Sequence, residues 1–344
     1  MTQLKSIVQI RYVAAFCAII AAMLLAHPAL AQSVRGSLAG VVSDTSGALI
    51  PGAKVVATND ATGLSVSTVS TSAGEYRFPE LPIGVYSLTV TSPGFSSGVY
   101  TGITVTVNSV IARNVQLNPG AVSQSVTVSA SGLALQTESS DVGGTVTTRD
   151  IIQLPLGLGG MDQLRAPEAF ATLLPGVTGP GTGTTQGSNG GGIYYMKIGG
   201  GQDLSAEILL DGISMDRGNM GGTFDETAPS VEALQEFKIT TSLPEAQFGR
   251  TGGGIESFST KSGTNTFHGT VFDIFQNEAL NANTWFNNGQ RAVNCAGTKN
   301  TPACTAPYRT PSDKQNDFGG SIGGFVLLPH IYNGRNKTFF FASW

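Results

Sequence analysis

The chain has 344 residues, a formal net charge of −4 and only 12% charged residues, but 45 glycines. The sequence shows no basic patch, and this absence argues against nucleic acid as a partner. No apolar run beyond the N-terminal leader is long enough for a spanning helix, so the composition predicts an exported, mainly β protein and is also compatible with a membrane barrel.

The first 31 residues read as a signal peptide. Lys5 and Arg11 supply the positive charge, and an uncharged apolar stretch follows at 12–26, too short to span a bilayer comfortably. An A-x-A site at 29–31 predicts cleavage between Ala31 and Gln32. An uncleaved anchor is the alternative. Cleavage leaves 17 basic and 23 acidic residues, a formal charge of −6.

Two cysteines, Cys295 and Cys304, remain once Cys17 leaves with the leader. An export signal and this short spacing favour a disulfide that closes a small loop. A zinc site is the weaker alternative, because the only histidines of the mature chain, His268 and His330, lie elsewhere in the sequence. No cofactor is expected.

Residues 33–119 read as a small β-sandwich of seven strand-like runs, the first at 37–43 and the last at 111–117. Turn signals recur about every ten residues from Gly63 onward, as in sandwiches. In the run 85–91, Tyr86, Leu88 and Val90 alternate with Val85, Ser87 and Thr89, which predicts a strand with one face in the core.

One pattern in this segment closely resembles the carboxypeptidase regulatory-like domain, which has an immunoglobulin- or transthyretin-like fold. Its residues here are Gly40, Val42, Asp44, Gly47, Ile50, Pro51, Gly52, Ala53 and Val55. The resemblance implies a non-catalytic module. The superfamily includes starch-binding modules, which leaves sugar binding open. Packing in the core is favoured over sugar contact for Tyr76, Tyr86 and Phe95.

Residues 121–261 resemble the plug domain of TonB-dependent outer-membrane receptors. Short helices are expected at Thr148 and Glu168, then a turn, a helix after Ser230, and strands at 237–241 and 255–261. The motif residues are Asp211, Gly212, Phe248, Gly249, Arg250, Gly252, Gly253 and Gly254. The sequence around Gln235 and Phe248 is similar to that of Oar-like receptors. The sequence at 154–160 and the residue Glu256 differ from the pattern of those receptors.

A short segment before the plug resembles a TonB box, the stretch that pairs with the periplasmic energy-coupling protein. It consists of Gln124, Ser125, Val126, Thr127, Val128, Ser129 and Ala130. The resemblance implies strand addition, in which main-chain hydrogen bonds supply the affinity. A plain linker or a final sandwich strand is the alternative.

Other features of residues 121–261 each have a structural and a functional interpretation. The glycine-rich stretch 176–201 lacks a Gly-Lys-Ser/Thr ending, which argues against nucleotide binding. Tyr194 and Tyr195 within it are either solute contacts or a packed pair. Asp211 and Asp216 lack calcium-loop spacing, so Asp211-Gly212 is expected to form a turn. Arg250 is expected to pair with a carboxylate of the barrel wall or to lie in solvent.

Residues 262–344 look like the start of a transmembrane β-barrel, with strand-like runs at 262–272, 318–324 and 333–341. Plugged transporters use about 22 strands of roughly ten residues. Because 83 residues hold only three or four strands, we expect a truncated, incomplete barrel.

The resemblance implies the N-terminal part of a TonB-dependent receptor for solute uptake in the outer membrane, with a periplasmic sandwich and no catalysis. Its partners would be the energy-coupling protein, outer-membrane lipid and an unidentified solute: a peptide, an oligosaccharide or a metal chelate. The alternatives are a periplasmic or secreted carbohydrate-binding protein and, less favoured, a surface adhesin.

Overall fold

The computed structural model describes ten stretches of the chain: 35–120, 125–129, 140–153, 167–178, 196–202, 205–215, 229–280, 282–296, 301–310 and 314–344. The cleavage site at Ala31 and Gln32 lies outside these residues. The fold is mainly β, as the sequence predicted.

The N-terminal part is a sandwich of two sheets. In the first sheet, β1 is central and pairs antiparallel with β4 and parallel with both β7 and β8, one after the other along its length. These strands are β1 (Arg35–Asp44), β4 (Glu75–Pro82), β7 (Val110–Ala112) and β8 (Val115–Leu117).

The second sheet has the strand order β3-β2-β5-β6-β9. All its pairings are antiparallel except the last, in which β9 runs parallel to β6. Its strands are β2 (Lys54–Asn59), β3 (Ser65–Val69), β5 (Gly84–Thr91), β6 (Ser97–Val105) and β9 (Ser125–Ser129).

The two sheets enclose one apolar core. The alternation predicted for β5 is confirmed, because Tyr86, Leu88 and Val90 are at most 2% exposed while Val85 is 42% exposed. Tyr76 also lies in this core and Phe95 packs against it, so the predicted packing role of the aromatics is confirmed. Full burial of a side chain of this size contributes roughly 1.5–3 kcal/mol.

The last strand-like run of the sandwich differs from its predicted form. The sequence suggested one strand at 111–117, but the structure has two, β7 and β8, with Arg113 and Asn114 between them. Between β7 and β8 the backbone pairing with β1 is interrupted. There the Asn114 side chain supplies a hydrogen-bond acceptor, because its Oδ1 accepts from the backbone N of Val41 (3.1 Å). A side-chain acceptor of this kind satisfies a donor that the ladder would otherwise leave unpaired.

A five-stranded sheet follows, with the order β10-β15-β16-β13-β14. A two-stranded sheet of β11 and β12 accompanies it. Their strands are β10 (Val142–Thr147), β11 (Val177–Thr178), β12 (Lys197–Ile198), β13 (Glu207–Leu210), β14 (Ile213–Ser214), β15 (Leu234–Ser242) and β16 (Ile255–Thr260).

Three short helical segments flank this sheet near the positions expected from sequence. They are α1 (Thr148–Gln153) and the 3-10 helices Pro167–Leu173 and Val231–Ala233. The Ser230 side chain caps the last of these by accepting from Glu232 N. Phe237 and Phe258 stack at 4.9 Å between ring centroids in the core beneath the sheet.

The C-terminal part is an antiparallel sheet of order β17-β18-β21 with a small hairpin, β19–β20. The strands are β17 (His268–Asn277), β18 (Lys314–Phe325), β19 (Leu327–Leu328), β20 (Tyr332–Asn333) and β21 (Phe339–Ser343). The segment between β17 and β18 contains a 3-10 helix Glu278–Leu280, α2 (Trp285–Asn294), α3 (Pro302–Thr305) and a 3-10 turn Ala306–Tyr308.

The sequence did not predict these helices between β17 and β18. Thr284 caps the start of α2, because its side chain accepts a hydrogen bond from Asn287 N (3.2 Å). A threonine just before a helix is a sequence signal for a helix start. Across the described stretches, no helix combines the length and the apolar character needed to cross a membrane.

Candidate functional site: the edge strand of the sandwich and the adjoining sheet

The TonB-box-like segment forms β9, the edge strand of the second sandwich sheet. Ser125–Ser129 pair in register with Ser97–Thr101 of β6. The ends of the predicted segment, Gln124 and Ala130, lie outside the described residues. Among the strands that the structure describes, β9 is last in the order of its sheet, and a strand at an edge can accept another strand.

The chain is fixed to the sandwich just before β9. Gly120 N donates to Gly94 O (3.1 Å), and Phe95 forms a bridge with Pro119. From this point the chain returns along β6 as β9. Further along the chain, β10 pairs with β15 at one edge of the five-stranded sheet.

The turn that follows β6 joins the sandwich to the five-stranded sheet; we call residues 106–109 the latch turn. Val107 N donates to Oε1 of Glu236. The Asn108 carbonyl accepts from Nζ of Lys238, and Asn108 Nδ2 donates to Oγ of Ser257 (2.8 Å). One turn of the sandwich therefore contacts two adjacent interior strands of the five-stranded sheet, β15 and β16.

Alternation along β15 puts charge on the face beneath the latch turn. Phe237 and Ile239 enter the core, whereas Glu236 and Lys238 lie on the opposite face. Lys238 forms an ion pair with Asp141, and both side chains are at most 5% exposed. Burial raises the pKa of Glu236 to about 7, and the hydrogen bond from Val107 N opposes that rise.

Asp211 and Gly212 form the two-residue turn between β13 and β14, with φ values of 49° and 82°. Both positive φ angles are those of a type I′ hairpin turn, for which Asp-Gly is a preferred sequence. The Asp211 carboxylate accepts hydrogen bonds from N and Oγ1 of Thr260 (2.9 and 2.7 Å). This carboxylate therefore ties the turn to the end of β16.

The glycine cluster packs its backbone against neighbouring strands. Gly252 N and Gly253 N both donate to Ser205 O (3.0 and 3.2 Å). A Cβ on Gly254 would lie 2.0 Å from Cγ2 of Ile198 and 2.6 Å from Thr240 O. Glycine at 254 thus allows β12 and β15 to approach the start of β16.

Arg250 and Phe248 occupy the loop before this cluster, and Gly249 between them has open space around its Cα. Arg250 is exposed and has a positive φ of 58°. No acidic partner of Arg250 appears among the described ion pairs. Asp216, Tyr194 and Tyr195 lie outside the described residues.

Glu256 is 3% exposed on the core-facing side of β16, next to Ile208 and Ile239 in register. The sequence marked this position as a departure from an expected apolar residue. No cluster of metal-ligating side chains occurs within the stretches that the structure describes.

A disulfide between Cys295 and Cys304 closes the helical segment between β17 and β18. Asn283 adds a hydrogen bond from Nδ2 to Tyr308 O (2.6 Å). The outer face of α2 carries Trp285 and Phe286, 80% and 72% exposed, in edge-to-face contact.

One exposed face of the C-terminal sheet is largely apolar, with the carboxylate residue Asp273, the register partner of Phe318, among its apolar side chains. Register places Val271 and Phe275 of β17 on the same face as Phe318 and Ile322 of β18 and Phe340 of β21. These side chains are 36–88% exposed. An outward apolar band is the pattern of a sheet that faces lipid.

Two family models match this chain at its two ends. Residues 37–118 match the carboxypeptidase regulatory-like domain, and residues 259–344 match an outer membrane beta barrel domain. The chain therefore carries a regulatory-like sandwich followed, after the plug-like sheet, by outer-membrane barrel sequence. These matches support an outer-membrane location.

A curated relative matches nearly the whole chain. The TonB-dependent transporter Oar of Myxococcus xanthus is 28% identical over 330 residues, which are 94% of this chain and 28% of the relative. The chain thus spans less than a third of the length of that relative. The resemblance to Oar-like TonB-dependent receptors, predicted from sequence, is confirmed.

Solved structures overlap with about a quarter of the chain. The Bacillus anthracis TIE protein is 22% identical, with 25% of this chain and 17% of that chain covered, at a TM-score of 0.22. A group B streptococcus pilus 2b backbone protein is 20% identical, with 25% and 42% covered, at a TM-score of 0.20. We base no argument on these overlaps.

The latch turn was not found by sequence reasoning. Its only sequence signal is the alternation of Glu236 and Lys238 with Phe237 and Ile239, which marks a strand with one charged face. The partner of that face is more than 100 residues away along the chain, and spacing alone does not identify it.

Proposed function

We propose that this chain is the N-terminal portion of a TonB-dependent outer-membrane transporter that takes up a solute. Residues 33–119 form its periplasmic sandwich, 121–261 its plug and 262–344 its first barrel strands. The observation that carries the proposal is the match over 94% of the chain to a transporter of this class. The exposed apolar face of the β17-β18-β21 sheet supports contact with outer-membrane lipid.

The mechanism is motion of the plug rather than catalysis. The energy-coupling protein binds the segment Gln124–Ala130 by strand addition, which depends on main-chain hydrogen bonds. A pull on this segment passes along the chain to β10, which pairs with the central strand β15 over Val142–Thr147. The plug sheet thereby receives the force at one edge. Peptides, oligosaccharides and metal chelates are the solutes to screen.

Export is part of the proposal. The leader directs the chain to the periplasm and is removed between Ala31 and Gln32. Intact-mass measurement of the protein from an outer-membrane fraction tests this step. A mature N terminus at Gln32 is the expected result, and an uncleaved chain contradicts it.

The coupling role is tested by proline substitution within β9. Thr127→Pro removes a main-chain N–H from the segment and disfavours strand addition, whereas Thr127→Ala keeps that donor. We expect Thr127→Pro to abolish binding to the purified periplasmic domain of the host's energy-coupling protein, and Thr127→Ala to retain it. Equal binding by both variants would overturn the assignment.

Carbohydrate binding by the sandwich has weaker support. The sandwich has a cleft of about 240 Å³ whose lining includes Tyr100, Asn114 and Gln116. Ligand sites usually measure about 300–1,000 Å³. The hydroxyl of Tyr100 is engaged by Gln116 O (2.7 Å) and its ring is buried, so the ring offers no open stacking face. Transport remains the preferred function.

A further inference from the structure

Helix α2 (Trp285–Asn294) separates its apolar residues from its polar ones. With 3.6 residues per turn, its apolar and small residues fall within about a third of the helix circumference: Trp285, Phe286, Gly289, Ala292 and Val293. Asparagine, glutamine and arginine side chains occupy the remaining circumference. The helix is therefore amphipathic, with one continuous apolar face.

The polar face of α2 is the face that contacts the rest of the protein. Asn287 Nδ2 donates a hydrogen bond to Arg309 O (3.3 Å), and Asn294 Nδ2 donates to the hydroxyl of Tyr308 (3.0 Å). These two asparagines lie near the middle of the polar face. The helix is thus held against the segment 301–310 by its polar side chains.

The apolar face of α2 points outward. The side chains of Trp285, Phe286 and Val293 are 72–80% exposed. A surface helix of a globular protein normally buries its apolar face and exposes its polar one, and α2 has the reverse orientation. An apolar face of this kind, rimmed by polar residues, marks a surface that meets an apolar partner.

We propose that α2 lies at the boundary between the acyl chains and the headgroups of the outer membrane, with Trp285, Phe286 and Val293 inserted among the lipids. This inference rests on the proposed function and adds a second lipid contact, made by a helix outside the barrel strands. Amphipathic helices with tryptophan and phenylalanine on the apolar face lie in this boundary with that face about 5–10 Å deep.

Along the chain, the apolar face of α2 continues the largely apolar exposed face of β17 and β18. Phe275 lies on that face two residues before the end of β17. Leu280, which is 76% exposed, follows in the next 3-10 helix, and Trp285 comes five residues later. Aromatic residues of membrane proteins are enriched where the apolar band ends, which is the position of Trp285 and Phe286 in this sequence.

The charged residues of this region fit the same boundary. Lys314, the register partner of Asn277 at the end of β17, pairs with Glu278 (3.9 Å). Because charged groups are costly in the hydrocarbon layer, this pair marks the level of the headgroups, and α2 begins only seven residues after Glu278. The one charged residue of α2 is the exposed Arg291, a cation that anionic headgroups attract.

The two tryptophans of this sequence allow a local test. Trp344 is hydrogen-bonded to Gly320, whose register partner is Val271, so Trp344 belongs to the largely apolar face of the C-terminal sheet. The variant Trp344→Phe leaves only Trp285, and Trp285→Phe leaves only Trp344. Each whole chain is bound to vesicles of phosphatidylcholine and phosphatidylglycerol that contain phosphatidylcholine brominated either near the headgroup or near the chain end, because bromine quenches tryptophan fluorescence.

We expect lipid to shift the emission of Trp285 to shorter wavelength. Bromine near the headgroup should quench Trp285 at least about twofold more strongly than bromine near the chain end, as the shallow depth of an interfacial helix requires. Trp344 should be quenched as well. In the Trp344→Phe background, Val293→Asp on the apolar face should weaken the quenching of Trp285, whereas Gln290→Asp on the polar face should leave it unchanged. Both positions are exposed, so neither change disturbs a packed core.

Quenching of Trp344 without quenching of Trp285 overturns the placement of α2 and leaves the proposed function intact. So does a Trp285 that acrylamide in the aqueous phase still quenches fully in the membrane-bound chain. A shift of Trp285 emission that grows with protein concentration without lipid identifies a second copy of the chain as the occupant, and also overturns the placement. If lipid quenches neither tryptophan, the lipid contact within the proposed function itself fails.

Discussion

At the residue scale, Gly254 shows why a glycine is required at one point of the glycine cluster before β16. Its backbone lies against Ile198 and the carbonyl of Thr240, and a Cβ would approach both within 2.6 Å. A shift of either neighbour would cost free energy, because Ile198 is buried in the core and Thr240 belongs to the interior strand β15.

We expect Gly254→Ala to destabilise the plug by about 1–3 kcal/mol through overpacking. Gly249→Ala is the matched control, because a Cβ at 249 meets nothing within 4 Å. Urea unfolding, followed by hydrogen exchange in β15 and β16, measures the difference. Equal stability of the two variants would show that the strands can separate to admit a methyl group.

Glu236 brings a buried carboxyl group to the latch turn. Its pKa is raised by burial from 4.5 to about 7. Because the folded value exceeds the unfolded one, its contribution to stability is complete below about pH 4.5 and is lost as pH rises to about 7. A shift of this size corresponds to at most about 3–4 kcal/mol.

The variant Glu236→Gln stays neutral and keeps an oxygen that can accept from Val107 N. We expect it to match the wild type near pH 4.5 and to be more stable than the wild type at pH 8, measured by thermal unfolding at both pH values. Glu80→Gln, at a side chain that is 71% exposed, is the control. A constant difference between Glu236→Gln and the wild type across pH would contradict the burial argument.

At the scale of elements, the segment between β17 and β18 depends on its disulfide. Helix α2 has no buried residues of its own, so packing contributes little to its stability, and short isolated helices are marginal in water. The bond between Cys295 and Cys304 closes a short loop and limits the unfolded forms of this segment.

We expect Cys295→Ser/Cys304→Ser to weaken this segment by about 2–3 kcal/mol. Hydrogen exchange should show lost protection in Trp285–Asn294, with β17 and β18 unchanged, because their ladder of ten register pairs is independent of the disulfide. The wild type should behave like the variant once reduced, and reduction should leave the variant unaffected. Retained protection in the variant would show that the Asn283 contacts suffice.

At the scale of the whole molecule, the sandwich contacts both of the parts that follow it. The latch turn contacts the five-stranded sheet, and Ala61 O in a sandwich turn accepts from Asn265 N (3.0 Å), just before β17. Among these contacts, the one at Lys238 joins the sandwich to two stretches of the following part, because its amine meets both Asn108 O and the Asp141 carboxylate.

We expect Lys238→Met to cost about 3–5 kcal/mol, because it leaves the buried Asp141 carboxylate without its ion pair. Lys314→Met is the control: its pair with Glu278 is 3.9 Å long and Lys314 is 67% exposed, so the loss should be about 1 kcal/mol or less. Chemical unfolding measures both. If Asp141→Leu in the Lys238→Met background restores no stability, the ion pair is not the cause.

The local features of this protein follow from its sequence. Alternation predicted the buried face of β5, because strand periodicity and burial are properties of adjacent residues. Asp211-Gly212 predicted a turn because few residues tolerate two positive φ angles in succession. The resemblance to Oar-like receptors, read from short motifs, predicted the order of the sandwich and the barrel strands, and the comparisons confirmed it.

Tertiary structure decided what depends on contacts between distant residues. The motif at Gln124–Ala130 was compatible with a linker, a free coupling strand or a sandwich strand, and its pairing with β6 is set by an edge that forms only after the sheet has folded. The contact between Val107 and Glu236 joins residues 129 positions apart. No local propensity encodes such a pair, because the free energy that selects it comes from burying two surfaces together.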